Sequence, residues 1–124
     1  MKKLSTKWFK KWSKKVKLTN GDLLKVIDDL DDGASTTDLG SHLFKVRVSR
    51  EHCGKSSGFR TIIIYQENEK VIFLYGFGKN EKQNISKAEL QYFKKLGNDL
   101  LALNSEQLED VIGQKILFEL EDVE

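Results

Sequence analysis

Two apolar runs in the middle of the chain constrain its fold more than any other feature. The segments FRTIIIYQ (residues 59–66) and KVIFLYGFGK (residues 70–79) are rich in β-branched and aromatic residues, and only the polar turn ENE separates them. This composition is typical of strands, and the short connection predicts that the two strands pair as an antiparallel hairpin. Because apolar residues occupy nearly every position, we expect other elements to cover both faces of the hairpin.

The segments on either side of the hairpin supply a third strand and the helices. In HLFKVRVSR (residues 42–50), apolar and polar residues alternate, which predicts a strand before the hairpin. Thr19, and the pair Ser86 and Glu89, have the spacing of helix N-caps. The remaining predicted elements are helices over 4–17, 20–31, 86–103 and 105–112 and a late strand over 115–120. The order α-α-β-β-β-α-α-β indicates an α+β fold, with a small antiparallel sheet flanked by helices.

Length and composition restrict the class of protein. A chain of 124 residues corresponds to a single domain, here residues 1–124. Its one cysteine, Cys53, cannot form an intramolecular disulfide, and two histidines with one cysteine are too few for a typical zinc site. No apolar run approaches the length of a membrane span, and no apolar segment follows the N-terminal lysines as in a secretory signal. We therefore expect a cytoplasmic protein that uses no metal or other cofactor.

Charge is distributed unevenly along the chain, although the net charge is only +2. The first 17 residues contain eight lysines and no acid, whereas residues 99–124 contain eight acids and one lysine. Residues 45–60 are basic again, and this asymmetry is typical of an anion-binding surface with an acidic tail. The helix predicted over residues 4–17, which carries most of these N-terminal lysines, also has an aromatic face. A helix packed on the core with its lysines in solvent is the commoner arrangement, and a nucleic-acid arm or a membrane-surface helix are the alternatives.

Four basic residues of the predicted strands are expected to form one cluster. Lys45 and Arg47 lie two positions apart on a strand, so their side chains share one face of the sheet. Arg60 opens the next strand and Lys79 closes the third, and an antiparallel hairpin brings these two ends together. The loop between the first two of these strands adds two more basic residues, Arg50 and Lys55.

Three segments together resemble a known family of bacterial proteins. KVRV, GKSSGFRTIIIYQ and FLYGFGKNEKQNIS, in this order and spacing, are similar to the RelE/ParE superfamily of toxins from toxin–antitoxin pairs. The similarity is closest to the RelE-type subgroup with the pattern GxRGGYRT…FFVYGFxKNExxNIS, and it extends from TKWFKKW to about Ile112. It implies a small antiparallel sheet flanked by helices. It also implies inhibition of translation, because ribosome-dependent members of the family cut messenger RNA.

The resemblance also assigns roles to individual positions. The family's two basic residues on the strand before the loop match Lys45 and Arg47, and the arginine that opens the next strand matches Arg60. The arginine after the following strand falls at Asn80, directly beside Lys79, and the family's tyrosine position falls near Ser86.

The implied chemistry is attack of an RNA 2′-hydroxyl on the adjacent phosphorus, which spreads negative charge over phosphate oxygens that basic groups stabilise. Lys45 is the candidate base, because crowding by like charges favours the neutral amine of a lysine. Arg60 is expected on the phosphate, with Arg47 and Lys79 in support. Tyr65 or Tyr75 are candidates for stacking on a base, although both fit the core better. Further candidate RNA-binding residues are Arg50, Lys55, Asn80, Lys82, Lys10 and Lys14.

The family resemblance also implies partners. We expect a cognate antitoxin, with the adjacent gene encoding a helix-turn-helix protein of this kind, as well as the ribosome and its messenger RNA, and no membrane partner. The alternative is a toxin-fold protein that acts by binding alone, either to DNA gyrase, as some members of the superfamily do, or to RNA or the antitoxin.

Overall fold

The computed structural model describes residues 1–33, 36–48 and 58–120, so the loop candidates Arg50 and Lys55 lie outside the described residues. Six strands form one sheet, and four helices pack on it. The strands are β1 (Lys2–Thr6), β2 (Thr36–Gly40), β3 (Leu43–Val48), β4 (Phe59–Gln66), β5 (Lys70–Gly78) and β6 (Leu117–Glu119). The helices are α1 (Lys7–Lys15), α2 (Asn20–Asp32), α3 (Lys87–Leu101) and α4 (Ser105–Gly113). Within these ranges no helix combines the length and apolarity needed to cross a bilayer.

The strands are arranged in the order β2-β3-β4-β5-β1-β6. The predicted hairpin is present, because β4 and β5 pair antiparallel from Gln66 opposite Lys70 to Phe59 opposite Gly78. Strand β3 pairs antiparallel with β4, and β2 with β3. Strand β1 pairs antiparallel with β6 but parallel with β5, so the sheet is mostly and not wholly antiparallel.

Each face of the sheet is covered by one pair of helices, which gives two separate cores. One face packs against α1 and α2, and its core includes Phe9, Leu23, Val26, Ile27, Val46, Ile63 and Phe73. The other face packs against α3 and α4, and its core includes Leu43, Ile62, Ile64, Ile72, Phe93, Leu100 and Leu117. Residues of β4 and β5 therefore alternate between two buried environments, which explains why these strands are apolar throughout. The predicted α+β fold class is confirmed.

The helix boundaries follow the capping residues. The Thr19 side chain accepts a hydrogen bond from the backbone N–H of Asp22, and the Ser86 side chain accepts one from Glu89, as predicted. Both are reciprocal capping boxes, because the carboxylate three residues later accepts from the N-cap backbone N–H in return. Thr6 caps α1 in the simpler way, by accepting from the backbone N–H of Phe9.

The element order differs from the prediction at two strands. The structure has β-α-α-β-β-β-β-α-α-β, because residues 2–6 form β1 ahead of a shorter first helix and residues 36–40 form β2. Strand β1 owes its conformation to pairing with β5 and β6, and this tertiary pairing outweighs the helical spacing that continues into α1. Strand β2 is a mostly polar edge strand, so period-two alternation of apolar residues does not reveal it.

Candidate functional site

Three of the four predicted catalytic residues lie around one cavity at the β2–β3–β4 side of the sheet. Lys45 and Arg47 share a face of β3 with Leu43, whose side chain belongs to the core under α3 and α4. Arg60 pairs directly with Arg47 in the β3–β4 ladder, so its side chain lies on the same face. A cavity of about 390 Å³ is lined by Thr36, Thr37, Lys45, Arg47 and Arg60. We call this cavity, with its five lining residues, the basic cavity.

Arg60 carries a positive charge that forms no ion pair with any of the described residues. Its Nη1 atom is buried and has no hydrogen-bond partner among the described residues. Burial, and after it the positive charge of Arg47, lower the pKa of Arg60. Both effects disfavour the guanidinium cation at this position. An anion that accepts a hydrogen bond from Nη1 would offset both penalties, so the local electrostatics favour binding of an anion.

The other two basic residues of the cavity are more accessible. Lys45 is half-buried, and its Nζ lies 3.5 Å from Oδ1 of Asn84, which is a weak contact. Arg47 is exposed. None of the described residues that line the cavity is a carboxylate, as expected for an anion site. The part of the chain that the structure describes also contains no cluster of His, Cys, Asp or Glu suited to a metal ion.

Lys79 lies near the cavity in the backbone but is not part of its lining. The hairpin brings Lys79 beside the start of β4, where its backbone N–H donates to the carbonyl of Gly58 over 3.2 Å. The side chains of Lys79 and Asn80 are exposed, and neither lines the basic cavity. Their roles in catalysis and RNA binding stay predictions.

Lys82 contacts other side chains of the same protein. Its Nζ lies 2.7 Å from Oε2 of Glu89 and 5.1 Å from the ring centroid of Tyr75. The hydrogen bond with Glu89 raises the pKa of Lys82 and lowers the pKa of Glu89, whose carboxylate also accepts from the backbone N–H of Ser86. Lys82 therefore fastens the segment after β5 to the first turn of α3, and its RNA-binding role stays a prediction.

The two tyrosines considered for stacking on an RNA base already contact other side chains within the fold. Tyr65 is buried against α2, and its hydroxyl donates to Oδ1 of Asp31, which raises the pKa of Tyr65 to about 12. Tyr75 is half-buried, with its ring centroid 4.6 Å from Trp8 and 5.0 Å from Phe93. At the family's tyrosine position, the Ser86 hydroxyl caps α3.

The lysines of α1 form a different surface. Lys10 and Lys14 are exposed on a helix that packs through Phe9 against the sheet face opposite the basic cavity. Lys10 Nζ lies 4.2 Å from the ring centroid of Phe118. These lysines cannot contact an anion held by Arg60, so any role in RNA binding is at a distance from the cavity.

Sequence reasoning missed the two threonines of the cavity. Thr37 pairs directly with Lys45 in the β2–β3 ladder, which places both side chains on the same face. The Thr36 hydroxyl donates to the carbonyl of Gly33 over 3.4 Å. One signal was present in the sequence, since Leu39, two positions after Thr37, packs into the core on that same face. A single apolar residue is too little to identify a strand.

Comparison with known proteins adds to this geometry. The family model described as the RelE toxin of the RelE/RelB toxin–antitoxin system matches residues 1–120. No curated protein and no solved structure gives a significant match to the chain. The family match covers nearly the whole chain and confirms the family indicated by the sequence motifs. The protein therefore belongs to the RelE toxin family, as the toxin of a toxin–antitoxin pair whose partner is an antitoxin.

Proposed function

We propose that this toxin is a ribosome-dependent messenger-RNA endoribonuclease that inhibits translation. The observation that carries the proposal is the buried Nη1 of Arg60, which has no hydrogen-bond partner among the described residues and lies beside Arg47 in a cavity whose described lining has no acid. Such a group is prepared for the anionic oxygens of a phosphodiester and for the extra charge that they acquire in the transition state. Family membership supports the same conclusion.

In the proposed reaction, the ribose 2′-hydroxyl attacks the adjacent phosphorus and the bond from phosphorus to the 5′-oxygen breaks. Lys45 acts as the general base and accepts the proton of the 2′-hydroxyl, and the departing 5′-oxygen takes up a proton from water. Arg60 donates to a phosphate oxygen, and Arg47 and Lys79 add positive charge around it. The ribosome supplies the messenger strand in a fixed position, which reduces what this small protein must do to orient its substrate.

One observation favours a second candidate, a toxin that binds its target without cutting RNA. The family's tyrosine position is near Ser86, whose hydroxyl serves as the cap of α3 and offers no ring for stacking. The position of the second arginine is Asn80. DNA gyrase or uncleaved RNA would be the target of a toxin that lacks those two groups.

The proposal also includes the partner of the toxin, its antitoxin. We infer that the neighbouring gene encodes it as a helix-turn-helix protein, so that a purified pair can be obtained by co-expression.

The test is primer extension on a ribosome-bound message with wild-type toxin and the Arg60→Ala variant. Loss of one preorganised transition-state donor is expected to slow single-turnover cleavage by about a hundredfold to a thousandfold, with ribosome binding hardly changed. Lys25→Ala is the control, because Lys25 is exposed on α2, on the opposite face of the sheet.

The two candidates give different outcomes in this experiment. Cleavage by Arg60→Ala at the wild-type rate would refute the proposed chemistry. Growth arrest by a wild-type protein that leaves the ribosome-bound message intact would favour the binding toxin instead.

A further inference from the structure

Asn84 is a polar residue that contacts the basic cavity from outside its lining. The Lys45 Nζ atom donates to Oδ1 of Asn84 over 3.5 Å, and no other described residue accepts a hydrogen bond from it. Asn84 lies in the segment between β5 and α3, whereas Lys45 lies on β3. Because Lys45 is the proposed general base, the side chain that it contacts bears on how the base is oriented.

The orientation of the Asn84 amide is fixed by the backbone. Its Oδ1 atom also accepts a hydrogen bond from the backbone N–H of Ile85 over 2.9 Å. A backbone N–H only donates, so the amide atom that it meets is the oxygen and not the nitrogen. Lys45 therefore faces an acceptor, which suits the N–H groups of both an amine and an ammonium.

The segment that carries Asn84 is held in place on both sides. On one side, Lys82 Nζ lies 2.7 Å from Oε2 of Glu89 on α3. On the other side, Ile85 packs against the core under α3 and α4, and the backbone N–H of Ser86 donates to Oε1 of Glu89 over 2.9 Å. These contacts restrict movement of the segment, so the amide oxygen is a fixed point beside the basic cavity.

A neutral amide oxygen is suited to orienting a general base. A carboxylate beside Lys45 would favour its ammonium form, so the base would enter the reaction already protonated. An amide oxygen accepts a hydrogen bond without adding negative charge, so it orients the side chain and leaves the proton free to move. The distance of 3.5 Å is long for a hydrogen bond, and hydrogen bonds of this kind often shorten only when substrate is bound.

The charged groups on the elements around Lys45 are mostly cations. Arg47 on β3 and Arg60 on β4 line the basic cavity with it. Five lysines lie on the segment after β5 and on α3: Lys79, Lys82, Lys87, Lys94 and Lys95. The acids of that segment, of α3 and of β2 form no ion pair with Lys45: Asp38, Glu81, Glu89 and Asp99. An acid introduced at position 84 would therefore be the first carboxylate beside Lys45 among the described residues.

We propose that Asn84 is a positioning residue for the general base of the reaction. Its amide oxygen directs the Lys45 side chain toward the 2′-hydroxyl and accepts a hydrogen bond from the ammonium that forms when Lys45 takes the proton. Asn84 acts through Lys45 and not by contact with the phosphate. The inference rests on the proposed cleavage of RNA, in which Lys45 is the base.

The test is single-turnover cleavage of a ribosome-bound message, measured by primer extension across a pH series at saturating ribosome. Asn84→Leu removes the acceptor and keeps the approximate size of the side chain. It should cleave about tenfold more slowly than wild type at every pH. Asn84→Asp keeps an acceptor for both hydrogen bonds but adds a charge that favours the ammonium form of Lys45. Its cleavage should be slow near neutral pH and recover about one pH unit higher than that of wild type.

The matched control for the added charge is Gln83→Glu. Gln83 is exposed and directly precedes Asn84, and it forms no hydrogen bond with Lys45. This variant has the same net charge as Asn84→Asp, and it should keep the wild-type pH profile. A shift that appears in Asn84→Asp alone is therefore due to the contact with Lys45 and not to a general change in charge.

Trace acetylation with acetic anhydride, read by mass spectrometry, gives a second measurement that requires no RNA. Only the unprotonated amine reacts, so Asn84→Asp should lower the labelling of Lys45 severalfold at a given pH. Lys25, which is exposed on α2, is the internal reference in the same protein. Gln83→Glu should label Lys45 as wild type does.

The possible outcomes separate this inference from the proposed function. The inference is overturned if Asn84→Asp has the wild-type pH profile or if Asn84→Leu cleaves as fast as wild type. It is also overturned if both variants are slow at every pH while labelling of Lys45 is unchanged, because a purely structural role gives that result. A wild-type protein that cleaves at no pH would refute the proposed function and, with it, the role of Asn84 in cleavage, even where the labelling shows that Asn84 contacts Lys45.

Discussion

At the scale of single residues, the basic cavity contains two threonines whose presence charge does not explain, and Thr37 is the one that faces the basic side chains. Thr37 lies directly across from Lys45, on the face that carries Arg47 and Arg60. No described residue forms a hydrogen bond with its side chain, although the neighbouring Thr36 hydroxyl is paired. A hydroxyl both donates and accepts, so Thr37 can bind either a phosphate oxygen or the attacking 2′-hydroxyl beside Lys45. It is therefore a candidate for positioning the ribose.

Replacement of Thr37 by valine removes the hydroxyl and keeps the shape of the side chain. Because a neutral hydrogen bond contributes about 0.5 to 1.5 kcal/mol, we expect single-turnover cleavage to slow by roughly twofold to tenfold. Thr37→Ser retains the hydroxyl and should cleave at close to the wild-type rate. Thermal unfolding should be similar in all three proteins, because Thr37 is exposed on an edge strand. Equal rates for the valine and serine variants would show that the hydroxyl has no part in the reaction.

The predictability of the site differs from residue to residue. Lys45, Arg47 and Arg60 were identifiable because strand alternation and hairpin pairing are regular enough to place side chains on a face. Thr37 was not, because its position depends on an edge strand without an apolar pattern. The engagement of Lys82 by Glu89 could not be predicted either, since it requires knowing how the segment after β5 meets α3.

At the scale of secondary-structure elements, α1 packs on β5 at a position that admits only glycine. A Cβ atom added at Gly76 would lie 2.2 to 2.7 Å from three ring atoms of Trp12. Trp12 also meets Phe9 at 5.5 Å and Phe59 edge-on at 5.5 Å, so its ring has neighbours that restrict its movement. The close approach of the helix to the strand therefore depends on the missing side chain.

Gly76→Ala is expected to destabilise the protein by about 1 to 3 kcal/mol, because the added methyl group forces Trp12 or α1 to shift. The control is Gly113→Ala at the end of α4, where a Cβ atom would meet no atom within 4 Å. That substitution should be neutral or stabilise by up to about 1 kcal/mol, since alanine favours the helix over glycine. Urea unfolding monitored by tryptophan fluorescence measures both. A Gly76→Ala protein with the wild-type unfolding midpoint would show that the packing tolerates the methyl group.

The two unpredicted strands illustrate what local pattern cannot provide. Lys2 begins β1, and its ammonium lies 2.8 Å from carboxylates of both Glu109 and Glu119, contacts that exist only in the assembled fold. Leu4 is fully buried between β5 and β6, but in the sequence it is one apolar residue among lysines and polar residues. Helices α2, α3 and α4 were predicted closely because their caps and apolar spacing are local signals.

At the scale of the whole molecule, positive charge is divided between two faces of the sheet. The basic cavity lies on the α3 and α4 face, whereas the lysines of α1 lie on a helix packed against the other face. All five lysines of α1 are exposed and have no salt bridge with a described residue, among them Lys10, Lys11, Lys14 and Lys15. We therefore expect the two groups to contribute to different steps, the α1 lysines to attraction of ribosomal RNA and the cavity to chemistry.

Replacing these four lysines of α1 with glutamine should weaken ribosome binding and make it less sensitive to salt. Each phosphate contact that is lost reduces the slope of log affinity against log salt by about 0.7 to 0.9. Single-turnover cleavage at saturating ribosome should be largely kept, because no group of the cavity changes. Arg60→Ala removes a single phosphate contact, so its salt slope should fall by no more than about 0.7 to 0.9 while cleavage is lost, and the two variants together separate attraction from catalysis. If the glutamine variant binds with an unchanged slope, the α1 lysines do not contact phosphates and serve only as the solvated face of a helix packed on the core.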